Sequence, residues 1–398
     1  MRINRGAARL LVLAALSTGT LGTGTLSAAP GAAASVPGTV VPALDSVLAE
    51  QFARSPAVPG IVARVDAPGL RWERAVGQAD RATGMPLSVG NTFRIASVTK
   101  TFTAAAVLTL VDQRRVTLDA AVARYLRPPY LDLLRRGGYD PNLITVRMLL
   151  NHTSGLYDYA TDDGYVETAL ADLQRHWSPA EQIGWAMDHG SPYGAPGALF
   201  HYSDTGYVLL ARIVESVTGK AQATAYRRLL HYDRLGLTAT WFETLEPAPD
   251  TAGARAHQYY VDAAAGLDLD TYTANPSFDL YGGGGLVSSV ADLNRFYRAL
   301  LDGRVLSRGA LRTMLTLVPT GNDDAAGMGI FPRRIEGITC WWHNGFWGSA
   351  VLYCPQRRLA VAVSVNAFTA GRVTPSALAD AVALATAASK VAPGPVTR

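Results

Sequence analysis

Phe93-Arg94-Ile95-Ala96-Ser97-Val98-Thr99-Lys100 sets a serine and a lysine three residues apart at the head of an apolar run that continues to about Leu110. Residues three apart on a helix share a face, so the spacing predicts the Lys100 amine beside the Ser97 hydroxyl, and a helix N-terminus favours negative charge developing there. An arginine keeps its proton in a protein, whereas burial and neighbours can tune a lysine to give its proton up. The chain holds only three lysines, Lys100, Lys220 and Lys390, among 36 basic residues, so it uses arginine almost wherever a surface cation will do. With 20 serines in 398 residues, chance gives Ser-x-x-Lys about 0.15 times, and it occurs once. The competing reading is a helix cap followed by a surface lysine.

Two weaker signals lie downstream. Tyr202-Ser203-Asp204 stands where a helical pattern begins, and a buried tyrosine near a lysine can act as a general base. The alternative there is a core tyrosine with Asp204 as the N-cap. His343-Asn344-Gly345 reads as the end of a strand, followed by Phe346-Trp347-Gly348. The glycine lets a ligand lie against the strand edge, and a backbone N–H just after it is a partner for the Ser97 N–H in an oxyanion hole. A packed or exposed strand histidine is the alternative. Tyr281-Gly282-Gly283-Gly284-Gly285 marks a turn or a close approach of backbones, without the spacing and lysine of a phosphate loop.

Around these signals the period of apolar residues changes along the chain. Val41–Arg54 is helical in spacing, and 61–65 and 70–76 alternate like paired strands around Pro68-Gly69. Helical windows recur at 97–110, 146–150, 179–187, 204–217, 221–230 and 290–301. Strands are expected at 327–331, 339–343, 349–353 and 359–365, and a closing helix at 375–388. The simplest arrangement is an α/β fold of the α+β type. An antiparallel sheet built from both ends of the chain is flanked by helices, with a mainly helical region inserted. The domain then runs over 41–390, with its sheet part at about 41–96 and 320–390 and its helical part at about 97–319.

With 48% apolar and 17% charged residues, the chain has the make-up of a folded soluble protein. Met1-Arg2-Ile3-Asn4-Arg5, the short apolar run Leu10–Leu16 and the small residues before Ala34 describe a secretory signal over 1–34, with Ala28 as another possible end. The run is too short for a comfortable membrane span, and the segment lacks an Arg-Arg pair and a cysteine for lipid attachment. A secreted product with no stable membrane anchor is expected. Its removal takes away Arg2, Arg5 and Arg9 and no acid, which lowers the formal net charge by three from +4 to +1. No nucleic-acid partner is implied. Cys340 and Cys354, fourteen apart across two expected strands, suit either a cross-strand disulfide or two buried thiols, and they are too few for a zinc site.

Taken in order, Ser97-x-x-Lys100, Tyr202-Ser203-Asp204 and His343-Asn344-Gly345 resemble the three motifs of the penicillin-recognising serine hydrolases, the class C β-lactamases and their D-alanyl-D-alanine carboxypeptidase relatives. Leu149-Leu150-Asn151-His152-Thr153-Ser154-Gly155-Leu156 and Tyr202-Ser203-Asp204-Thr205-Gly206-Tyr207 are similar to stretches of that family, and the likeness runs from about Val41 to Ala388. The resemblance implies acyl transfer. Ser97 attacks a carbonyl, Lys100 and Tyr202 relay the proton, the N–H groups of Ser97 and Phe346 hold the oxyanion, and His343 assists near the substrate tail. Asp204, Asn344, Gly345 and Phe346 would line the substrate site. His152 and Ser154 read as structural, with a helix end at Gly155. No metal or organic cofactor is implied, and the seven histidines include no His-Glu-x-x-His pattern. The expected partner is a small peptide, amide or ester, with cell-wall peptide among the candidates, and the expected state is a monomer.

The chain also departs from the family. Asp204 stands where relatives carry an asparagine whose amide donates to the substrate; an ionised aspartate only accepts, and it would pair with Lys100 and favour the charged lysine. Asn344 and Phe346 stand where carboxylate-binding relatives offer hydroxyls, leaving Arg333 or Arg334 as candidates for a compensating charge. Phe346, Trp347, Trp341 and Trp342 would suit an apolar or aromatic substrate group, although strand alternation turns half of them to the core. A D,D-peptidase acting on D-amino-acid peptides or amides is the leading reading. An esterase or β-lactamase is the rival within the chemistry, and a catalytically silent binding protein the rival outside it.

Overall fold

A computed structural model describes residues 37–321 and 324–369, together with Asp380 and Val382. Residues 1–34, expected to be a secretory signal, lie outside the described residues. So does most of the closing helix expected over 375–388, of which Asp380 and Val382 are helical.

Seven antiparallel strands form the main sheet: β1 (Gly60–Ala67), β2 (Leu70–Asp80), β3 (Met85–Pro86), β4 (Phe331–Ile335), β5 (Ile338–Asn344), β6 (Ser349–Cys354) and β7 (Leu359–Val365). Their order is β4-β5-β6-β7-β1-β2-β3, so the two ends of the chain meet where β7 pairs with β1, Val363 opposite Ala63. Period-two alternation divides the side chains. Val351, Tyr353, Ala360 and Ala362 join the core under the helical region, while Ala350, Leu352, Val361 and Val363 join a second core on the opposite face. That second core is covered by α1 (Pro37–Ala53) through Val40, Leu44 and Leu48.

Helix α2 (Thr99–Asp112) buries every residue from Thr99 to Leu110, which marks it as the central helix of the helical region rather than an amphipathic surface one. It packs on α3 (Asp204–Thr218), while α4 (Val290–Leu301) lies across β7, β6 and β1. Among the described residues no helix is long and apolar enough to cross a membrane.

Several expectations shift. The strand expected at 327–331 lies instead at Phe331–Ile335, because Gly329 turns with φ +66° against the Lys100 carbonyl, where a β-carbon would fall 2.7 Å away. The helix expected to end at Gly155 ends at Leu150, and Gly155 is a loop residue with φ +74°. Asp204 does not cap α3. Ser203 does, its side chain accepting from Gly206 N at 3.4 Å. Cys340 and Cys354, directly opposed on β5 and β6 and fully buried, form a disulfide.

Candidate active site

Ser97 is presented on a sharp bend. It sits in a short 3-10 turn, Ala96–Val98, that runs into α2. The preceding Ala96 has φ +43°, a left-handed conformation that costs a residue with a β-carbon on the order of 1 kcal/mol. The bend is pinned on both sides. Ile95 N donates to Leu286 O at 2.9 Å, and Ile95 O accepts the Ser349 hydroxyl at 3.0 Å. Gly345, at the end of β5, abuts the same carbonyl so closely that a β-carbon there would lie 2.1 Å from Ile95 O. The glycine of the third motif thus brings Phe346 N–H up to the Ser97 turn. Among the described residues neither the Ser97 N–H nor the Phe346 N–H has an acceptor, which leaves both for a ligand oxygen.

Three residues into the turn, Lys100 Nζ donates to Ser97 Oγ at 2.9 Å, as the helical spacing predicts. The side chain is 0% exposed, and its other two donors go to Asp204 Oδ1 at 2.5 Å and Gly283 O at 2.9 Å. Burial pushes the ammonium down, but the charge of Asp204 and the short hydrogen bond to it outweigh burial and hold Lys100 above the ordinary lysine range. The glycine run is what lets this happen: a β-carbon at Gly283 would fall 2.3 Å from Asp204 Oδ1.

Tyr202 reaches the same centre, its ring centroid 4.9 Å from Lys100 Nζ. Burial raises its phenol, Lys100 opposes, and Asp204 adds to the rise, so the phenol is protonated at neutral pH. His152, read from sequence as structural, stacks on Tyr202 with centroids 4.3 Å apart and fixes that ring. Its Nδ1 accepts Ser203 N–H at 3.1 Å. His343 is 2% exposed, with Nδ1–H donating to Asn344 O at 2.7 Å. Burial, then the Lys100 charge, pushes His343 down to about 3 against the Asn344 bond, so its ring is neutral at physiological pH.

Two carboxylates that the sequence reading missed complete the centre. Asp158 Oδ1 accepts Asp204 N–H at 2.9 Å and Ala160 N–H at 3.2 Å. Burial and the Asp204 charge raise Asp158 well above the carboxylate range, behind the ion pair. Asp279 ends the 3-10 turn Pro276–Asp279 just before the glycine run. Burial and Asp204 push it up to about 7, against the pull of Lys100, Arg94 and the polar edge of Trp347.

The structure thus brings Ser97, Lys100, Tyr202, Asp204, His343 and the Gly345-Phe346 peptide to one place. It takes Arg333 and Arg334 away: Arg333 pairs with Asp380 beside Trp342, and Arg334 donates to Gly337 O at 2.9 Å. Trp341 and Trp342 divide between the two cores as alternation requires. Phe346 instead stacks on Phe368 at 4.3 Å and meets Trp347 edge-on at 4.9 Å, forming an aromatic wall with Tyr260 next to Ala96. Among the described residues one His/Asp group has ligand atoms close enough for a metal, Asp80, His257 and Asp270. Its atoms are taken up by internal bonds: His257 Nδ1 meets Asp270 Oδ2 at 2.7 Å, and Asp80 caps its own turn.

A serine just after a strained bend, backed by a buried lysine and tyrosine, with two free N–H groups beside it, is the arrangement of a serine acyltransferase or hydrolase. The Beta-lactamase family model matches residues 47–385, and the chain belongs to this family of serine hydrolases. Its structure is similar to that of the D-amino acid amidase from Ochrobactrum anthropi SV3 solved with D-phenylalanine. That match has 27% identity and TM-score 0.76, covering 88% of this chain and 100% of that one. It is also similar to a D-stereospecific amidohydrolase from Streptomyces sp., at 30% identity and TM-score 0.72 over 82% and 94% of the two chains. Esterase EstB of Burkholderia gladioli is 36% identical over 214 residues, 51% of this chain. Penicillin-binding protein 4* of Bacillus subtilis is 27% identical over 300 residues, 72% of this chain. The chain spans 52% and 63% of the lengths of these two curated relatives.

Proposed function

We propose that the chain is an exported hydrolase of D-amino-acid amides and peptides, of the D,D-peptidase type, working through an acyl-enzyme on Ser97. The observation that carries this reading is the 2.9 Å contact between Ser97 Oγ and a fully buried Lys100 Nζ. The D-configured substrates rest on the D-amino acid amidase and the D-stereospecific amidohydrolase. Export rests on the basic head and short apolar run of residues 1–34.

At rest Lys100 is an ammonium and cannot take a proton. Moving one proton from Nζ to Asp204 Oδ1 across their 2.5 Å contact turns the ion pair into a neutral amine and an acid. The freed Nζ lone pair then accepts the Ser97 proton, directly or through the Tyr202 phenol. Oγ forms its bond to the substrate carbonyl carbon, and the carbonyl electrons move to an oxygen held by the N–H groups of Ser97 and Phe346. Collapse breaks the C–N bond, the departing amine takes the relayed proton, and an ester on Ser97 remains. Water then attacks that ester by the same relay, releasing the acid and restoring Ser97. His343 is neutral here and serves as a hydrogen-bonding group with Nε2 free, not as a charge.

A second reading, esterase action, is favoured by Asp204: an ester needs no amide donor at that position, and the likeness to Esterase EstB points the same way. Initial rates on D-phenylalanine amide, its L-isomer, D-alanyl-D-alanine, 4-nitrophenyl acetate and a chromogenic penicillin, for the wild type and Ser97→Ala, test both. The proposal expects the D-amide to exceed the L-amide and every rate to vanish in the variant. Turnover of the acetate alone would favour the esterase. Binding of any of these compounds without turnover would favour a silent binding protein.

A further inference from the structure

We propose that Asp279 binds a free α-ammonium on the acyl part of the substrate, so that the site takes unblocked amino-acid amides and peptides and works from their amino end. This rests on Ser97 being the acylated residue.

The glycine ribbon places Asp279 where such a group would lie. A β-carbon at Gly283 would fall 2.3 Å from Asp204 Oδ1, and one at Gly284 would fall 2.3 Å from Asp279 Oδ1. The two carboxylates therefore flank one short stretch of backbone, and that stretch also supplies the carbonyl that holds Lys100. On its other side Asp279 lines one small cavity together with Trp347, the neighbour of Phe346. The carboxylate is thus one side chain away from the peptide N–H assigned to the oxyanion. In an amino-acid amide the ammonium nitrogen is two bonds from the reacting carbonyl carbon, so a carboxylate that holds it must lie beside the oxyanion site.

Charge points the same way. Among the described residues Asp279 makes no salt bridge, and both nearby cations are engaged elsewhere. Arg94 is taken by Glu243 and the carbonyls of Thr271 and Ala274, and Lys100 by Asp204, Gly283 and Ser97. A half-buried carboxylate left without a cation costs stability unless a ligand supplies one. No compensating positive charge is offered to a substrate carboxylate, since His343 is neutral and Arg333 and Arg334 are held away. The adjoining wall is apolar: Phe278 meets Trp347 edge-on at 5.7 Å and joins the cluster around Ala96, Tyr260 and Phe346. A cationic amine beside an apolar side chain is the ligand that this surface complements.

The test is kcat/KM of the full chain for D-phenylalanine amide and for N-acetyl-D-phenylalanine amide, which lacks the charge, in the wild type, Asp279→Asn and Asp279→Glu. The wild type should prefer the free amine by about tenfold or more. Asp279→Asn should bring that ratio close to one through a raised KM for the free amine, and Asp279→Glu should keep part of it. Equal use of the two amides by the wild type, or an unchanged ratio in Asp279→Asn, would overturn the inference. Acylation of wild-type Ser97 by 4-nitrophenyl acetate separates the two failures. With that adduct present and no preference for the amine, only the role of Asp279 falls; with no adduct from any compound, the Ser97 reading falls as well.

Discussion

Six residues apart, Arg94 and Lys100 form two sheltered ion pairs on either side of Ser97, and they are built for opposite ends. Arg94 grips Glu243 with two nitrogens, at 2.6 and 3.2 Å, and gives two further donors to Thr271 O and Ala274 O at 2.9 and 2.7 Å. A planar guanidinium so saturated is a permanent charge that ties strand 93–94 to the loop around 271–274. Lys100 meets Asp204 through one short contact and points another of its donors at a hydroxyl. An ammonium in that position is held by charge yet can pass a proton along the contact. The difference shows why a lysine-poor chain keeps a lysine at position 100: a permanent charge would hold the same carboxylate but could not serve as a base.

Exchanging the two cations breaks this comparison most sharply. Lys100→Arg should lower kcat for D-phenylalanine amide by roughly 10³-fold or more, because the guanidinium keeps its proton. Activity close to wild type would remove the proton-transfer role. Arg94→Lys should appear in stability instead: losing the two-pronged grip and stranding carbonyl acceptors should cost about 2 kcal/mol in urea unfolding, with a far smaller change in kcat. Asp279 feels both cations, and its titration sharpens the picture. Its carboxyl ionises near 4 when unfolded and at about 7 in the fold, so the folded state holds the proton more tightly, and stability falls as pH rises from about 4 through about 7. Asp279→Asn should flatten that fall, gaining more Tm over wild type at pH 8 than at pH 5; an equal gain at both would contradict the raised value. The smallest effect expected is on selectivity. Asp204→Asn removes the carboxylate that takes the Lys100 proton, so both rates should fall, but amide should gain relative to ester hydrolysis by a few-fold, because an amide donor replaces an acceptor; a fall in that ratio would count against the account of this position.

The parts of the site that could be read from sequence are those encoded within one element. Ser97 and Lys100 share a helical face, and the glycine of His343-Asn344-Gly345 marks a close approach that the structure places on Ile95 O. Cys340 and Cys354 could be placed across a strand pair, though spacing did not distinguish thiols from the bridge they form. Asp158, Asp279 and His152 were not legible as site residues. They sit outside the long helices and strands and more than fifty residues from Lys100, and their nearness to it exists only once the chain has folded. An aspartate five residues before a glycine carries no spacing signal of its own.

The fold divides in the same way. The strands 61–65, 70–76, 339–343, 349–353 and 359–365 fall within the observed β1, β2, β5, β6 and β7, because buried strands alternate cleanly against two cores. Helices Pro128–Arg136, Asp163–Ala171 and Arg308–Met314 went unread, each of nine residues or fewer and mostly exposed or half-buried, too short for their apolar positions to repeat as a period. The hairpin Tyr259–Asp262 with Leu267–Asp270 was missed as well; its strands are four residues each, too short for a pattern, and Ala367–Thr369 joins it in parallel from far along the chain.

The most direct test of the central claim is the intact mass of the protein quenched during turnover of 4-nitrophenyl acetate and of D-phenylalanine amide, followed by peptide mapping of any adduct. The account predicts one acyl group, carried by the peptide that contains Ser97 and absent from Ser97→Ala. An adduct on another residue, or undiminished turnover in Ser97→Ala, would contradict it.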